Sequence, residues 1–489
     1  MATTKIITST VLFFFILSVG FCIYYLQLDV SMITNSFSKK EGVTSKATKR
    51  TKTPPVSCLF GNLTLTCPLS SSETSISSTY KSSTEVCPEY FRWIHEDLSP
   101  WRKTGISNDM IMRARRTANF RLVIVDGKAY LETYGKAYQS RDTLNLWGIL
   151  QLMKRYPGRL PNLDLLFDCN DPPVIESSLY MQPNSTVPPP ALFSYCSDDS
   201  HLDIVFPDWS FWGWPEINIK PWNTLLEEMK EENMKLKWTE REPYAYWKGN
   251  TDVGYSRKDL IKCNVSDKQD WGARLYEQDW GSESQNGFQK SNLANQCTHR
   301  YKVYIEGWAW SVSQKYILAC DSLTLLVKPR FYDFFTRGIM PLKHYWPIKI
   351  NDMCRSIKFA VGWGNKHEQK VQEIGKASSD FIRENLKMEY IYDYMFHLLN
   401  DYAKLLTYKP TIPPNAIEFC SATMACPHPD GLEKTYMMET MVRHPSDTGP
   451  CTMPPPFDPP SFHTLLEEKE QSIKKVEMLE NKFWSRQRK

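Results

Sequence analysis

The chain has 489 residues, 42% of them hydrophobic and 23% charged, which excludes a mainly disordered protein and a multi-span membrane protein and leaves material for about two or three cores. Its 59 Lys and Arg against 55 Asp and Glu leave a net charge of +4, too small for neutralisation of a phosphate backbone to dominate binding, so no nucleic-acid partner is expected. Aromatic residues reach 13%, with 16 Trp, a composition suited to stacking sugars or burying large interfaces.

Residues 6–28 carry no charge, and at about 1.5 Å per residue such a helix crosses a hydrocarbon core of roughly 30 Å. A retained single anchor is expected, with residues 1–5 as a cytoplasmic tail, because the Tyr24-Tyr25-Leu26 stretch is a poor cleavage site for a signal peptide. The cations from Lys39 to Lys52 oppose that orientation under the positive-inside rule. The sequons at Asn62, Asn184 and Asn264 favour it, as do the twelve cysteines outside the anchor, which suit an oxidising compartment. Together they point to a type II protein of the Golgi or endoplasmic reticulum membrane, its bulk lumenal, with no KDEL-like signal at the end. Residues 29–84, rich in Ser, Thr and Lys, read as a stem.

Globular composition begins at Cys87. Residues 120–132 predict two strands joined by Asp126-Gly127, a strong hairpin signal. A helix is expected over 143–156 and a short apolar strand over 163–167, which ends at Asp168-Cys-Asn-Asp-Pro-Pro173 because the prolines cannot continue a ladder. Further strands are expected at 191–195, 244–247, 301–305 and 323–327, with a helix at about 311–318 and long helical patterns at 366–386 and 389–406. Strands alternating with helices argue for α/β layers with parallel sheets. The tail from Pro413 on holds Cys420, Cys426 and Cys451, a Pro-rich stretch, and a charged helix over about 464–484.

There is no G-x-G-x-x-G, Walker sequence, G-x-S-x-G or H-E-x-x-H, and no Asp-x-Asp to hold a divalent ion, so any sugar transfer is expected to need no metal. Asp171 follows a strand and sits where a carboxylate projects at the carboxyl edge of a sheet, a position suited to a general base. An Asp before Pro is also a common turn residue, and Asp168 is the close rival. Strand residues 244–250 bring Lys248 and Asn250 to a strand end, with Arg257 beyond, where a cation neutralises a diphosphate. Residues 301–320 predict a strand, Gly307, then a helix opening at Ser311 and Ser313, whose amides and dipole receive phosphate.

Taken together, residues 119–406 resemble the capsule-associated-protein type domain of glycosyltransferase family 90, which includes the Rumi-like protein O-glucosyltransferases. The most specific stretches are residues 164–174, 244–250, 307–322 and 344–348; the stem, the three-Cys tail and the last helix look like the plant branch of the family. The resemblance implies a GT-B-like architecture of two Rossmann-like domains facing a cleft, with a UDP-sugar as donor substrate and no cofactor. It places the catalytic aspartate on Asp171 and the nucleotide contacts on Asn250, Arg257 and the turn Trp308, Ala309, Trp310, Ser311, Val312 and Ser313. It places an acceptor-facing loop on Trp209, Trp212, Trp214 and Trp222, and a disulfide on Cys297 and Cys320. Ser313 and Lys248 stand where the animal enzymes carry Arg, a replacement that changes a bidentate phosphate contact.

The expected layout is therefore a stem to 84, an acceptor-side half carrying the base over 85–235, a nucleotide-sugar half over 236–410, and a tail over 411–489. The expected activity is transfer of glucose or xylose from a UDP-sugar to a hydroxyl of a protein or glycan, with inversion. The alternatives are a polysaccharide-directed xylosyltransferase and a catalytically silent glycan-binding protein.

Overall fold

The computed structural model describes Cys67 and residues 83–182 and 185–487. The expected anchor, most of the stem, and the sequons at Asn62 and Asn184 lie outside the described residues. Among the described residues no helix is long and apolar enough to cross a membrane.

Two sheets organise the chain. In the first, β1 (Phe120–Val125) and β2 (Lys128–Thr133) form the expected hairpin, its turn made by Asp126 at φ 49° and Gly127 at φ 74°, the left-handed pair a tight hairpin needs. Strand β3 (Leu163–Phe167) runs antiparallel to β1, while β4 (Phe193–Ser194) and β5 (Ile204–Val205) lie parallel to β3. This sheet is mixed rather than parallel. Helix α1 (Arg141–Arg155) links β2 to β3.

The second sheet contains β6 (Glu242–Gly249), β7 (Ala273–Glu277), β8 (His299–Tyr304), β9 (Leu323–Val327) and β10 (Trp346–Ile348), in the order β10-β9-β8-β6-β7. Every pairing in it is parallel. Covered on both faces, β9 reads as an apolar run and all five of its residues are buried. The chain steps from β6 outward to β7 and then back across to β8, so the winding reverses between β6 and β8. In open parallel sheets a ligand crevice lies at such a reversal, outside the carboxyl ends of the strands.

Helix α2 (Trp222–Lys235) joins the halves, α3 (Tyr255–Ile261) follows β6, and α4 (Ser313–Leu318) follows β8. Helices α5 (Met353–Gly364) and α6 (Glu368–Asn385) pack on the second sheet through Ile357, Ala360, Val371 and Ile374. The next helix, α7 (Met388–Leu405), returns to the first sheet although it is contiguous in sequence with the second half. Its stripe of Ile391, Met395, Leu398 and Tyr402 joins the first core; Tyr402 meets Phe193 at 4.9 Å and donates to the Asp164 carbonyl at 2.8 Å.

The tail is integral to both halves. Strand β11 (Ile417–Phe419) adds an antiparallel edge to β2, and Cys420 and Cys451 are bonded to Cys67 and Cys87. The long C-terminal helix α8 (Pro459–Gln487) lies on α5, with Phe483 at 5.3 Å from Phe359 and the buried Glu480 accepting from Ser356 Oγ.

Candidate active site

The carboxyl ends of β3 and β4 in the first sheet meet those of β6, β8 and β9 in the second. The two sides are stitched by backbone: Ser197, beyond β4, and Tyr332, beyond β9, exchange N–H to carbonyl hydrogen bonds of 3.0 and 2.9 Å. Beside them Arg330 Nε donates to Asp198 at 2.7 Å.

On the first side lies the loop beyond β3. Asp168 is 2% exposed, and its Oδ1 accepts from the Asn170 backbone and side-chain amides at 2.9 and 2.7 Å; burial raises its pKa. It is the turn residue. Asp171 keeps 29% of its side chain exposed at the mouth, with Oδ1 accepting from Arg141 Nη1 at 2.6 Å. The Asp171 carbonyl accepts from the Cys196 thiol at 3.2 Å, and the Cys196 sulfur in turn receives the N–H of Trp310 from the second side. Burial pushes that thiol well above its ordinary pKa, so it stays protonated and able to donate.

On the second side, Arg257 in α3 is 8% exposed and spans the winding reversal. Its guanidinium donates to the carbonyls of Asn250 beyond β6 (3.0 Å) and of Ile305 and Glu306 beyond β8 (3.4 and 2.9 Å), and to Ser311 Oγ at 3.3 Å. Burial lowers its pKa to about 10, with Tyr304 and Asp171 opposing, so it stays charged at neutral pH. A Cβ on Gly254, at the start of α3, would stand 3.0 Å from the Gly307 carbonyl oxygen, which is why the two segments approach so closely only with glycine there.

The turn itself differs from the expected phosphate cradle. The helix opens at Ser313 rather than Ser311 and has only 6 residues, so its dipole is small. The Ser311 amide donates to Tyr304 Oη at 3.1 Å and the Ser313 amide to Ser311 Oγ at 3.4 Å, which leaves the guanidinium beneath as the turn's main positive charge. Ala309 and Trp310 are buried and Val312 is half-buried; Trp308 stands 66% exposed at the lip. The Cys297–Cys320 disulfide is present and closes the far end of α4. Asn250 Oδ1 accepts from the Asp252 amide at 2.8 Å, so its carbonyl rather than its side chain is what Arg257 holds. Lys248 is tied to another loop, donating to the Lys290 carbonyl at 2.8 Å and facing Glu283 at 3.7 Å. Asn264 is half-buried with its Nδ2 donating to the Leu275 carbonyl at 2.9 Å, a bond that an attached glycan would break.

The aromatic loop departs most from the sequence expectation. Trp209, Trp212 and Trp222 are fully buried core side chains, not an open sugar platform. Trp212 Nε1 donates to Tyr392 Oη at 3.1 Å and Trp222 Nε1 to the Leu386 carbonyl at 2.7 Å. Half-buried Trp214 donates to Gln139 Oε1 at 2.8 Å and packs edge-on to Trp209. Indole rings bury more apolar area than any other side chain, and a run of them serves a core as readily as a surface. The open rings at the mouth are Trp308 and Tyr138.

Sequence reasoning missed Arg141, Cys196 and Lys315. Lys315 of α4 is buried with its Nζ at 3.1 Å from Asp208 Oδ2 and 2.7 Å from Ser210 Oγ, so the turn that leads into α4 is anchored in the first core. Arg141 stands at the first position of a helix, where a cation opposes the macrodipole and, once buried, needs a partner carboxylate; the sequence showed neither that position, the helix being expected from 143, nor the burial. Nothing in the local sequence marks Cys196.

Among the described residues the metal-sized cluster is Cys87, His397 and Cys451, and there the two sulfurs are bonded to each other and His397 donates to the Cys451 carbonyl at 2.8 Å.

The sequence pattern of glycosyl transferase family 90 matches residues 82–480, covering both sheets, the site and most of the tail. The chain belongs to glycosyl transferase family 90. It is 25% identical over 348 residues to protein O-glucosyltransferase 1 of Homo sapiens, covering 67% of this chain and 83% of that protein. It is 26% identical over 331 residues to the O-glucosyltransferase rumi of Drosophila pseudoobscura pseudoobscura, covering 65% and 77%, and 24% identical over 342 residues to that of Drosophila melanogaster, covering 66% and 78%. In this glycosyltransferase the matched span holds both sheets and the loops at their facing carboxyl ends.

Proposed function

We propose that this enzyme transfers a sugar from a UDP-sugar to a hydroxyl group of a protein acceptor, by single displacement with Asp171 as general base. The acceptor oxygen forms a bond to the anomeric carbon, the bond from that carbon to the β-phosphate oxygen breaks, UDP leaves with the electron pair, and Asp171 takes the acceptor proton. The observation that supports this reading is the Cys196 bridge, which sets Asp171 against the turn at Trp310, beside the guanidinium under the winding reversal. A carboxylate on one wall and a turn with a guanidinium beneath it on the other suit an in-line displacement. Two Rossmann-like halves in a GT-B arrangement fit the facing carboxyl ends.

Glucose is the first donor to test and a protein hydroxyl the first acceptor, by similarity to the protein O-glucosyltransferases. Xylose is the second donor, because Lys248 and Ser313 depart from the animal pattern. Metal independence is part of the proposal and rests on the missing Asp-x-Asp. So is a type II anchor over residues 6–28, with the catalytic region in the lumen of the Golgi or endoplasmic reticulum.

The deciding experiment is Asp171→Asn in the lumenal fragment, followed by transfer and by UDP binding. Transfer is expected to be abolished and UDP affinity to stay within about threefold, since the carboxamide keeps the shape and loses the base. Wild-type turnover in this variant removes Asp171 from the mechanism.

A further inference from the structure

The loop that carries Asp171 is pinned at each step, and by residues outside it. Pro172 and Pro173 have no backbone N–H to close a turn on Asp171, so it must be held by other groups. The Cys169 amide donates to Asn119 Oδ1 at 2.7 Å, and at the far end the amides of Val174 and Ile175 donate to the buried Asp203 carboxylate at 3.1 and 2.8 Å. Between these ends Asn170 is held by Asp168, and among the described residues Asp171 itself is held by Arg141 and Cys196. Arg141 Nη1 donates both to Asp171 Oδ1 and to the Cys169 carbonyl, at 2.6 and 3.2 Å. Cys196 takes the Asp171 carbonyl at 3.2 Å and connects it to the Trp310 amide.

Arg141 is itself held rigidly. Its guanidinium lies 4.5 Å from the centre of the Trp209 ring and 5.3 Å from that of Tyr138, and its carbonyl accepts from Tyr195 Oη at 3.1 Å. Trp209 is in turn flanked by Asp208 and Ser210, which bind Lys315 of α4. Among the described residues no group bonds Asp171 Oδ2. One carboxylate oxygen is clamped and the other is left for a proton.

The geometry points to Arg141 and Cys196 as positioning residues of the transfer reaction: Arg141 clamps Oδ1 so that Oδ2 faces the acceptor, and Cys196 sets the distance between Asp171 and the nucleotide turn. Neither touches the reacting atoms; both act through Asp171, so this inference rests on Asp171 being the base. A second consequence follows from the chemistry of the bridge. Cys196 must both donate and accept, so a hydroxyl replaces it and a methyl does not.

The test uses UDP release from UDP-glucose with water as acceptor, in Arg141→Gln, Arg141→Lys, Cys196→Ala and Cys196→Ser, each with a thermal melt. Arg141→Gln is expected to lower kcat on the order of 100-fold with the KM for UDP-glucose nearly unchanged, the cost of a misplaced catalytic group. Added guanidinium chloride at millimolar concentration is expected to restore at least tenfold of that loss in Arg141→Gln and none in Asp171→Asn. Cys196→Ser is expected to keep at least a third of wild-type kcat where Cys196→Ala loses tenfold or more. Wild-type kcat in Arg141→Gln overturns the inference, and so does a loss that guanidinium leaves untouched in a variant that melts like wild type. If Arg141→Gln fails to fold, Arg141→Lys decides: both clamp bonds come from the single Nη1 atom, so an ammonium there is expected to keep at least about a tenth of wild-type kcat, and a folded Arg141→Lys as inactive as Asp171→Asn overturns the clamp. Wild-type turnover in Asp171→Asn would remove the base itself; a dead Asp171→Asn with an unaffected Arg141→Gln removes only the clamp.

Discussion

Replacing Arg257 by Met separates the two things that this side chain does. The guanidinium donates to four acceptors, two of them at 3.0 Å or less, and Met leaves the Asn250 and Glu306 carbonyls without that partner. At about 1–3 kcal/mol for each well-formed bond lost from a buried acceptor, the reversal between β6 and β8 loses about 2–6 kcal/mol. The same change removes the charge under the turn, and a charged contact contributing about 1.5–3 kcal/mol to diphosphate binding corresponds to roughly a 10- to 150-fold rise in the Kd for UDP. Arg257→Lys keeps the charge but has no planar fork to reach carbonyls on both strands, so its stability falls nearly as far while its affinity falls less than about tenfold. Titration calorimetry with UDP and thermal melts of both variants read the two effects separately. If Arg257→Met binds UDP and melts as the wild type does, the strut and the buried charge are both wrong.

The burial of the tryptophans makes a paired prediction: Trp212→Ala should cost about 3–5 kcal/mol in chemical denaturation, as a large core truncation does, while Trp308→Ala should leave stability within about 0.5 kcal/mol and reduce turnover. Glu306, whose carboxylate accepts the amides of Arg330 and Phe331 at about 3 Å, has its pKa raised by burial to about 7. Because that folded value lies above the unfolded one, the native state holds the extra proton at lower pH, and its contribution to stability is lost as pH rises through about 7. Glu306→Gln should therefore flatten the stability profile between about pH 4.5 and 7, measured by urea midpoints; an unchanged slope counts against it.

The hairpin at residues 120–133, strands β3 and β9, and helices α6 and α7 were readable from the chain because each is specified by a pattern a few residues long: Asp-Gly at a left-handed turn, an unbroken apolar run, an apolar stripe every three or four positions. The same run marked the acids at its end before two prolines, but left Asp168 and Asp171 as rivals; the structure buries Asp168 in a turn and leaves Asp171 partly exposed. What only the tertiary structure decided depends on groups far apart in sequence: Arg141 with Asp171 across 30 positions, Lys315 with Asp208 across 107, and the return of α7 to the first sheet. Hydrophobicity told that Trp209, Trp212 and Trp222 would seek contact, but not whether a sugar or the protein's own core would supply it, because transfer of a ring from water is favourable toward either. Tertiary packing settled that question: Tyr392 and the Leu386 carbonyl of the α6–α7 region take the Trp212 and Trp222 indoles into the core, while Trp308 and Tyr138 stay exposed.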